Sequence, residues 1–104
     1  MNKEYSINFI DSLFTTEEAA SVLLDIFSSK IKFHELKNMG YKERFGYVDE
    51  IAQQRIEDLK KSRQILFHIL AEAKESNCDL KVNSSISLQL KNKISETIQS
   101  KNEL

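Results

Sequence analysis

The chain has 104 residues, of which 40% are hydrophobic and 30% are charged, and its net charge at pH 7 is −1. This length fits one domain with a thin hydrophobic core. The longest apolar runs have three residues, far fewer than the roughly 18 that a membrane span requires. A single cysteine excludes an intramolecular disulfide. The first residues lack the layout of a secretory signal, so we expect a cytoplasmic protein without membrane contact.

Charge is distributed unevenly along the chain. Residues 1–29 carry one cation against five carboxylates, whereas residues 30–48 carry five cations against two carboxylates. Sequence-independent binding of nucleic acids usually needs a clear basic face. The excess over residues 30–48 is modest, and it makes nucleic-acid binding an alternative function rather than the leading one.

The N-terminal segment predicts a strand followed by a helix. Apolar and polar residues alternate over Tyr5–Phe9, which is typical of a strand. Thr15 and Glu18 form a capping box, which indicates that a helix begins here. We expect this first helix to extend to about Met39, with Gly40 as the left-handed residue that ends it.

The first helix is apolar on two sides. With 100° of rotation per residue, one group of apolar residues shares a side of the helix with His34, and a second group lies on a different side. A helix of this kind must be covered on two sides, by the second helix on one and by a small sheet or a second subunit on the other. The main stripe consists of Ala20, Leu23, Leu24, Phe27, Ile31 and His34, and the second of Val22, Ile26 and Phe33.

A second helix is predicted from Asp49, which is placed as its N-cap, to about Ser76. Its main apolar residues recur at near-heptad spacing, and Ile51, Ile65 and Ile69 flank them. Two antiparallel helices joined by a loop of about nine residues are the natural arrangement. The main stripe contains Ala52, Ile56, Leu59, Leu66, Leu70 and Ala73.

The C-terminal part returns to a period of two residues. Leu80–Val82 and Ile86–Leu90 alternate on either side of the polar residues 83–85, which predicts a β-hairpin. We therefore predict an α+β fold, with a long antiparallel helical hairpin packed on a small antiparallel sheet formed by the N-terminal strand and the C-terminal β-hairpin. The alternative is an all-α three-helix domain with a helix over residues 85–100. Residues 1–90 form a single compact domain, and residues 91–104 form a polar tail that is frayed or a short helix.

The segment 40–48 is the main candidate for a binding surface. It contains both glycines of the chain and three aromatic residues interleaved with two cations. Tyr and Arg are enriched at the centres of protein interfaces, and aromatic rings beside cations also bind single-stranded nucleic acids. We assign Phe45 to the core, and we predict a contact edge that consists of Tyr41, Lys42, Arg44 and Tyr47.

No constellation of residues in the sequence predicts catalysis, a cofactor or a metal site. His34 lies on the main apolar stripe, which favours a core histidine bonded to a neighbour over a general base. His68 lies opposite the apolar stripe of its helix, and neither histidine has the spacing of a zinc site. We predict a non-enzymatic protein, since an active site built on His34 would need this side chain to be reachable in a cleft.

The predicted function is that of a small interaction or regulatory module that self-associates as a homodimer through its helix faces. A further protein partner is compatible with this prediction. The alternative is an accessory nucleic-acid-binding protein that uses the basic, aromatic segment 30–48.

Overall fold

A computed structural model describes residues 3–93. Its elements follow the order strand, helix, helix, strand. The predicted α+β fold, with a helical hairpin and a small antiparallel sheet, is confirmed, and the predicted tail falls largely outside the described residues. The elements are β1 (Lys3–Phe14), α1 (Thr16–Phe45), α2 (Glu50–Glu75) and β2 (Leu80–Leu90).

The C-terminal part forms one strand instead of the predicted β-hairpin. β2 continues without a turn through residues 83–85 and pairs with β1 along its whole length, from Leu80 opposite Phe14 to Leu90 opposite Lys3. Asn83, Ser84 and Ser85 have the composition of a turn, but here they lie in a strand, opposite Asp11, Ile10 and Asn8 of β1 respectively. The same pairing contradicts the all-α alternative, because residues 85–90 are in a strand.

A β-bulge at Phe9 keeps the apolar residues of β1 on one face of the sheet. Ile7 lies opposite Ile86 and Ile10 lies opposite Ser84, so β1 has one extra residue between these pairs. Because side chains alternate between faces, Ile7 and Ile10 would point to opposite sides without the bulge. The apolar face comprises Tyr5, Ile7, Ile10 and Phe14 of β1 with Leu80, Val82, Ile86, Leu88 and Leu90 of β2.

The other face of the sheet is polar. The ammonium of Lys81 lies 2.7 Å from the Asp11 carboxylate, and the Gln89 amide donates a hydrogen bond to Glu4 at 3.1 Å. Leu13, opposite Lys81, is an exposed exception. The sheet is therefore amphipathic, with one face suited to water and one that is not.

Helix α1 extends six residues beyond its predicted end. Gly40 lies inside the helix, and the left-handed residue is Gly46, with φ of 81° and its N–H bonded to the Lys42 carbonyl at 2.7 Å. The prediction for Gly40 was wrong because a glycine inside a helix costs only about 1 kcal/mol relative to alanine. Its presence alone does not end a helix.

The remaining helix ends agree with the predictions. Thr15 and Glu18 form the capping box, with bonds of 2.9 and 3.1 Å, and Asp49 accepts the Ile51 N–H at 3.0 Å. α2 ends in a Schellman motif, in which Asn77 has φ of 56° and the Cys78 N–H bonds the carbonyl of residue 73 at 2.9 Å. Specific hydrogen bonds thus fix both junctions between helix and sheet.

The sheet is not packed over the helical hairpin. The 30-residue α1 is about 45 Å long, and the molecule measures 51 × 36 × 15 Å. A strand of 12 residues spans about 40 Å, so a sheet that continued along the helix axis would make the molecule much longer than 51 Å. The sheet also makes few contacts with either helix. The radius of gyration of 17.2 Å exceeds the value of about 13 Å for a compact domain of this length. The sheet therefore does not form a second layer over the helices.

The core lies between the two helices. Every fully buried side chain among residues 3–93 belongs to α1 or α2. Exposed ion pairs link the helices at their margins, with Glu35 3.5 Å from Lys60 and Glu17 3.0 Å from Lys74. The buried residues are Ala19, Ile31, His34, Asn38, Ala52, Ile56, Leu70 and Ala73.

We predict opposite effects of alanine at the two glycines. Gly40→Ala should stabilise the fold by up to about 1 kcal/mol, because the helix interior favours alanine and the added Cβ meets no atom within 4 Å. Gly46→Ala should destabilise it by about 1–2 kcal/mol, since its positive φ disfavours a side chain. Urea unfolding followed by circular dichroism measures both. Destabilisation by Gly40→Ala would place the end of α1 at residue 40.

Candidate functional site

The predicted contact edge lies at the tip of the helical hairpin, where α1 connects to α2. The Tyr41 ring centroid is 4.6 Å from that of Phe45 and 5.9 Å from that of Tyr47. The Arg44 guanidinium lies over the Phe45 ring, 5.4 Å from its centroid, and Lys42 is exposed on the same final turns. The structure thus assembles the three aromatic side chains into one cluster beside two cations.

Phe45 belongs to this surface and not to the core, so its sequence-based assignment was wrong. Its side chain is 50% exposed, and that of Tyr47 is 62% exposed. The reason is the added length of α1. Asn38 accepts a hydrogen bond from Asp49, the N-cap residue of α2. The turns of α1 that follow Asn38 therefore extend past the beginning of α2, which does not cover them.

Tyr41 is the half-buried member of the cluster. Partial burial raises the pKa of its phenol above the usual value of 10, and hydrogen bonding and charge repulsion from the Tyr47 phenol raise it further. The phenol is therefore protonated at neutral pH. It offers a hydrogen-bond donor beside the exposed rings of Phe45 and Tyr47.

Asn38 positions the tip, a role that sequence reasoning missed. Its side chain is buried, its Oδ1 accepts the Asp49 N–H at 2.8 Å, and its Nδ2 donates to the Gln53 side chain at 3.1 Å. It thus bridges α1, the N-cap of α2 and the first turn of α2. A buried polar residue in a predicted apolar interface is the signal that could have revealed it, because such a group needs partners.

His34 is buried between the helices, as predicted for a core histidine. Its side chain has 0% exposure, and its ring lies edge-on to Phe33 with a centroid distance of 5.2 Å. The expected hydrogen bond is missing, since neither ring nitrogen has a partner among the described residues. An active site built on His34 lacks the cleft that it would require.

Exposed apolar side chains are more numerous on one face of the helical hairpin than on the other, although the exposed Phe67 lies on the same side of α2 as Lys60. At 100° per residue, Val22, Ile26 and Phe33 lie about 120° from the side of α1 that contacts α2. The flanking residues of α2, Ile51, Ile65 and Ile69, are rotated by a similar angle, in the same direction, from the side of α2 that contacts α1. In an antiparallel pair of helices, such rotations place both stripes on the same face of the pair. The Glu35–Lys60 ion pair marks the other face. Five of these apolar side chains are exposed, namely Val22, Phe33, Ile51, Ile65 and Ile69.

The apolar face of the sheet is uncovered in its outer half. Its residues near the helices are half-buried, whereas those farther out are exposed. No residue of β1 or β2 is fully buried. The exposed residues on this face are Tyr5, Ile7, Ile86, Leu88 and Leu90.

No family model, curated protein or solved structure matches this chain. Within residues 3–93, no group of three His, Cys, Asp or Glu side chains is arranged to hold a metal ion. Over the same residues, neither helix combines the length and apolar character needed to cross a membrane.

We predict that Asn38→Ala destabilises the fold by about 1–3 kcal/mol, because the partly buried Asp49 N–H and the Gln53 side chain lose their partner. Gln54→Ala is the matched control, since it removes only an exposed bond to Asp58 at 3.0 Å. Chemical denaturation of both variants measures the difference. Equal stability of the two variants would show that Asn38 does not brace the hairpin.

Proposed function

We propose that this protein is a non-enzymatic interaction module that self-associates as a homodimer through the apolar face of its helical hairpin. The observation that carries the proposal is the stripe of exposed apolar side chains on one face of α1 and α2, opposite a face with an interhelical ion pair. Monomeric proteins rarely expose contiguous apolar patches of more than a few hundred Å². The proposal includes the cytoplasmic location and the regulatory role predicted from the sequence.

The position of the sheet supports a second copy as the cover. The second stripe of α1 requires either a small sheet or another subunit to remove it from water. The chain's own sheet makes few contacts with the helices, and Phe33 in this stripe is 44% exposed. Of the two covers, the second subunit is the one that is compatible with this arrangement.

We predict that the wild-type chain is a dimer at about 100 μM and that Ile65→Glu makes it monomeric. Ile65 is 60% exposed, so the substitution spares the core of a single copy, but in a dimer it would place an unpaired carboxylate in an apolar interface. The new carboxylate also lies four residues from Lys61, a spacing that supports the helix. Sedimentation equilibrium or light scattering gives the mass.

Gln64→Glu is the matched control for this experiment. It adds the same charge to the adjacent position, which lies on the polar side of α2, and it should remain dimeric. Circular dichroism establishes that both variants are folded. A monomeric wild-type chain at this concentration would refute the proposal.

A second candidate function is nucleic-acid binding by the hairpin tip. Three aromatic rings cluster beside Lys42 and Arg44 at the end of the basic segment 30–48. Exposed rings can stack on unpaired bases while the cations contact phosphates. The acidic residues near the tip, Glu43, Asp49 and Glu50, weaken this candidate relative to self-association.

For this second function, we predict micromolar binding of short single-stranded RNA or DNA at low salt, measured by fluorescence anisotropy. The affinity should fall steeply with added salt, and Tyr47→Ala combined with Arg44→Ala should remove binding. Leu13→Ala, far from the tip, is the control. A flat titration with the wild-type chain would rule the function out.

A further inference from the structure

Two separate apolar surfaces are uncovered within the part of the chain that the structure describes, residues 3–93. One is the apolar face of the helical hairpin, and the other is the outer half of the apolar face of the sheet. Each presents five side chains that are roughly half exposed, which leaves on the order of 500 Å² per surface for side chains of this size. A standard interface buries about 800 Å² on each partner. Neither surface alone reaches this size, whereas the two together do.

The sheet cannot cover the hairpin of its own chain. Only Thr15 separates β1 from α1, and its backbone is extended and held by both bonds of the capping box. On the other side, the Schellman motif at Asn77 fixes the direction in which the chain leaves α2. To fold back, the sheet would have to break these bonds at both junctions.

We propose that two copies cover each other reciprocally, with the apolar face of each sheet packed on the apolar face of the other copy's hairpin. This inference rests on the proposed function and names the surfaces that meet. It gives each copy the two-layer arrangement of sheet on helices that buries an apolar sheet face. Two equivalent contacts related by a two-fold axis are the usual form of a homodimer, and short connections favour exchange of an element between copies.

The dimensions of the two surfaces agree with this arrangement. β1 is about 40 Å long and α1 about 45 Å long, estimated from their rise per residue. Two paired strands lie about 5 Å apart and two packed helix axes 8–10 Å apart, so the sheet fits within the width of the hairpin. The sheet can therefore lie along the hairpin of a partner over most of its length.

Edge-to-edge pairing of the sheets is a weaker alternative. The bulge at Phe9 interrupts β1 between Asn8 and Ile10, and bulges protect sheet edges from further pairing. Edge pairing would also leave the apolar face of the sheet exposed. A contact with that face would instead cover the apolar residues that the bulge keeps on one side.

The test uses complementation between two variants with opposite charges. Ile65→Glu alters the hairpin surface and Leu88→Lys alters the sheet surface. In a reciprocal dimer, either variant alone has two damaged contacts, and its dimer should dissociate at least about 100-fold more readily. A mixed dimer has one intact contact and one contact that contains both the new Glu and the new Lys, whose charges are opposite. Mixing the two variants should therefore restore dimers.

The matched controls are Gln64→Glu and Ser87→Lys, which add the same charges next to the test positions on the polar surfaces. Ser87 lies opposite Ser6, so the added lysine faces water. Both controls should remain dimeric as single variants. Circular dichroism confirms that all four variants are folded, and analytical ultracentrifugation of equal mixtures, with one partner labelled, detects mixed dimers.

Each outcome decides a different point. Monomeric single variants that form mixed dimers support the reciprocal arrangement. If both single variants are monomeric and the mixture remains so, hairpin packs on hairpin and sheet on sheet, which overturns this inference but leaves the proposed function intact. A dimeric Leu88→Lys also overturns it, because the sheet then lies outside the interface. A monomeric wild-type chain overturns both proposals.

Discussion

Two short, capped junctions determine the shape of this molecule. The capping box at Thr15 and the Schellman motif at Asn77 fix the directions in which the strands leave the helices. Both junctions lie at the same end of the hairpin, so β1 and β2 pair with each other and project together. The local hydrogen bonds that satisfy the helix ends therefore also prevent the sheet from covering the helices. The uncovered apolar faces follow from this constraint.

A second set of local bonds determines the tip. Asn38 joins α1 to the cap and first turn of α2, which sets where α2 begins relative to α1. Because α1 continues to Gly46, its last two turns extend beyond α2 and carry the aromatic side chains into solvent. One buried amide thus connects the packing between the helices to the exposure of Phe45 and the grouping of Tyr41 with Tyr47.

The fold class and the caps could be predicted from the sequence, whereas the exact ends of α1 and the course of β2 depend on distant partners and could not. Thr15, Glu18 and Asp49 were identified correctly because a capping pattern lies within four residues. Gly40 and Gly46 were equally suited to end α1, and the choice depends on tertiary contacts such as that of Asn38. Residues 83–85 have the composition of a turn, and only their pairing with β1 places them in a strand. The position of Phe45 followed from the wrong helix end and so could not be predicted either.

The bulge at Phe9 brings onto one face of the sheet apolar residues of β1 that are out of phase in the sequence. In sequence, Tyr5, Ile7 and Phe9 suggest one alternating face, whereas Ile10 and Phe14 fall out of phase. One extra residue restores the phase and makes a single face apolar from Tyr5 to Phe14. A two-stranded sheet is marginally stable alone, and this apolar face gains stability only when it is covered. In the proposed dimer a second copy supplies that cover, so formation of the sheet and association of the copies stabilise each other.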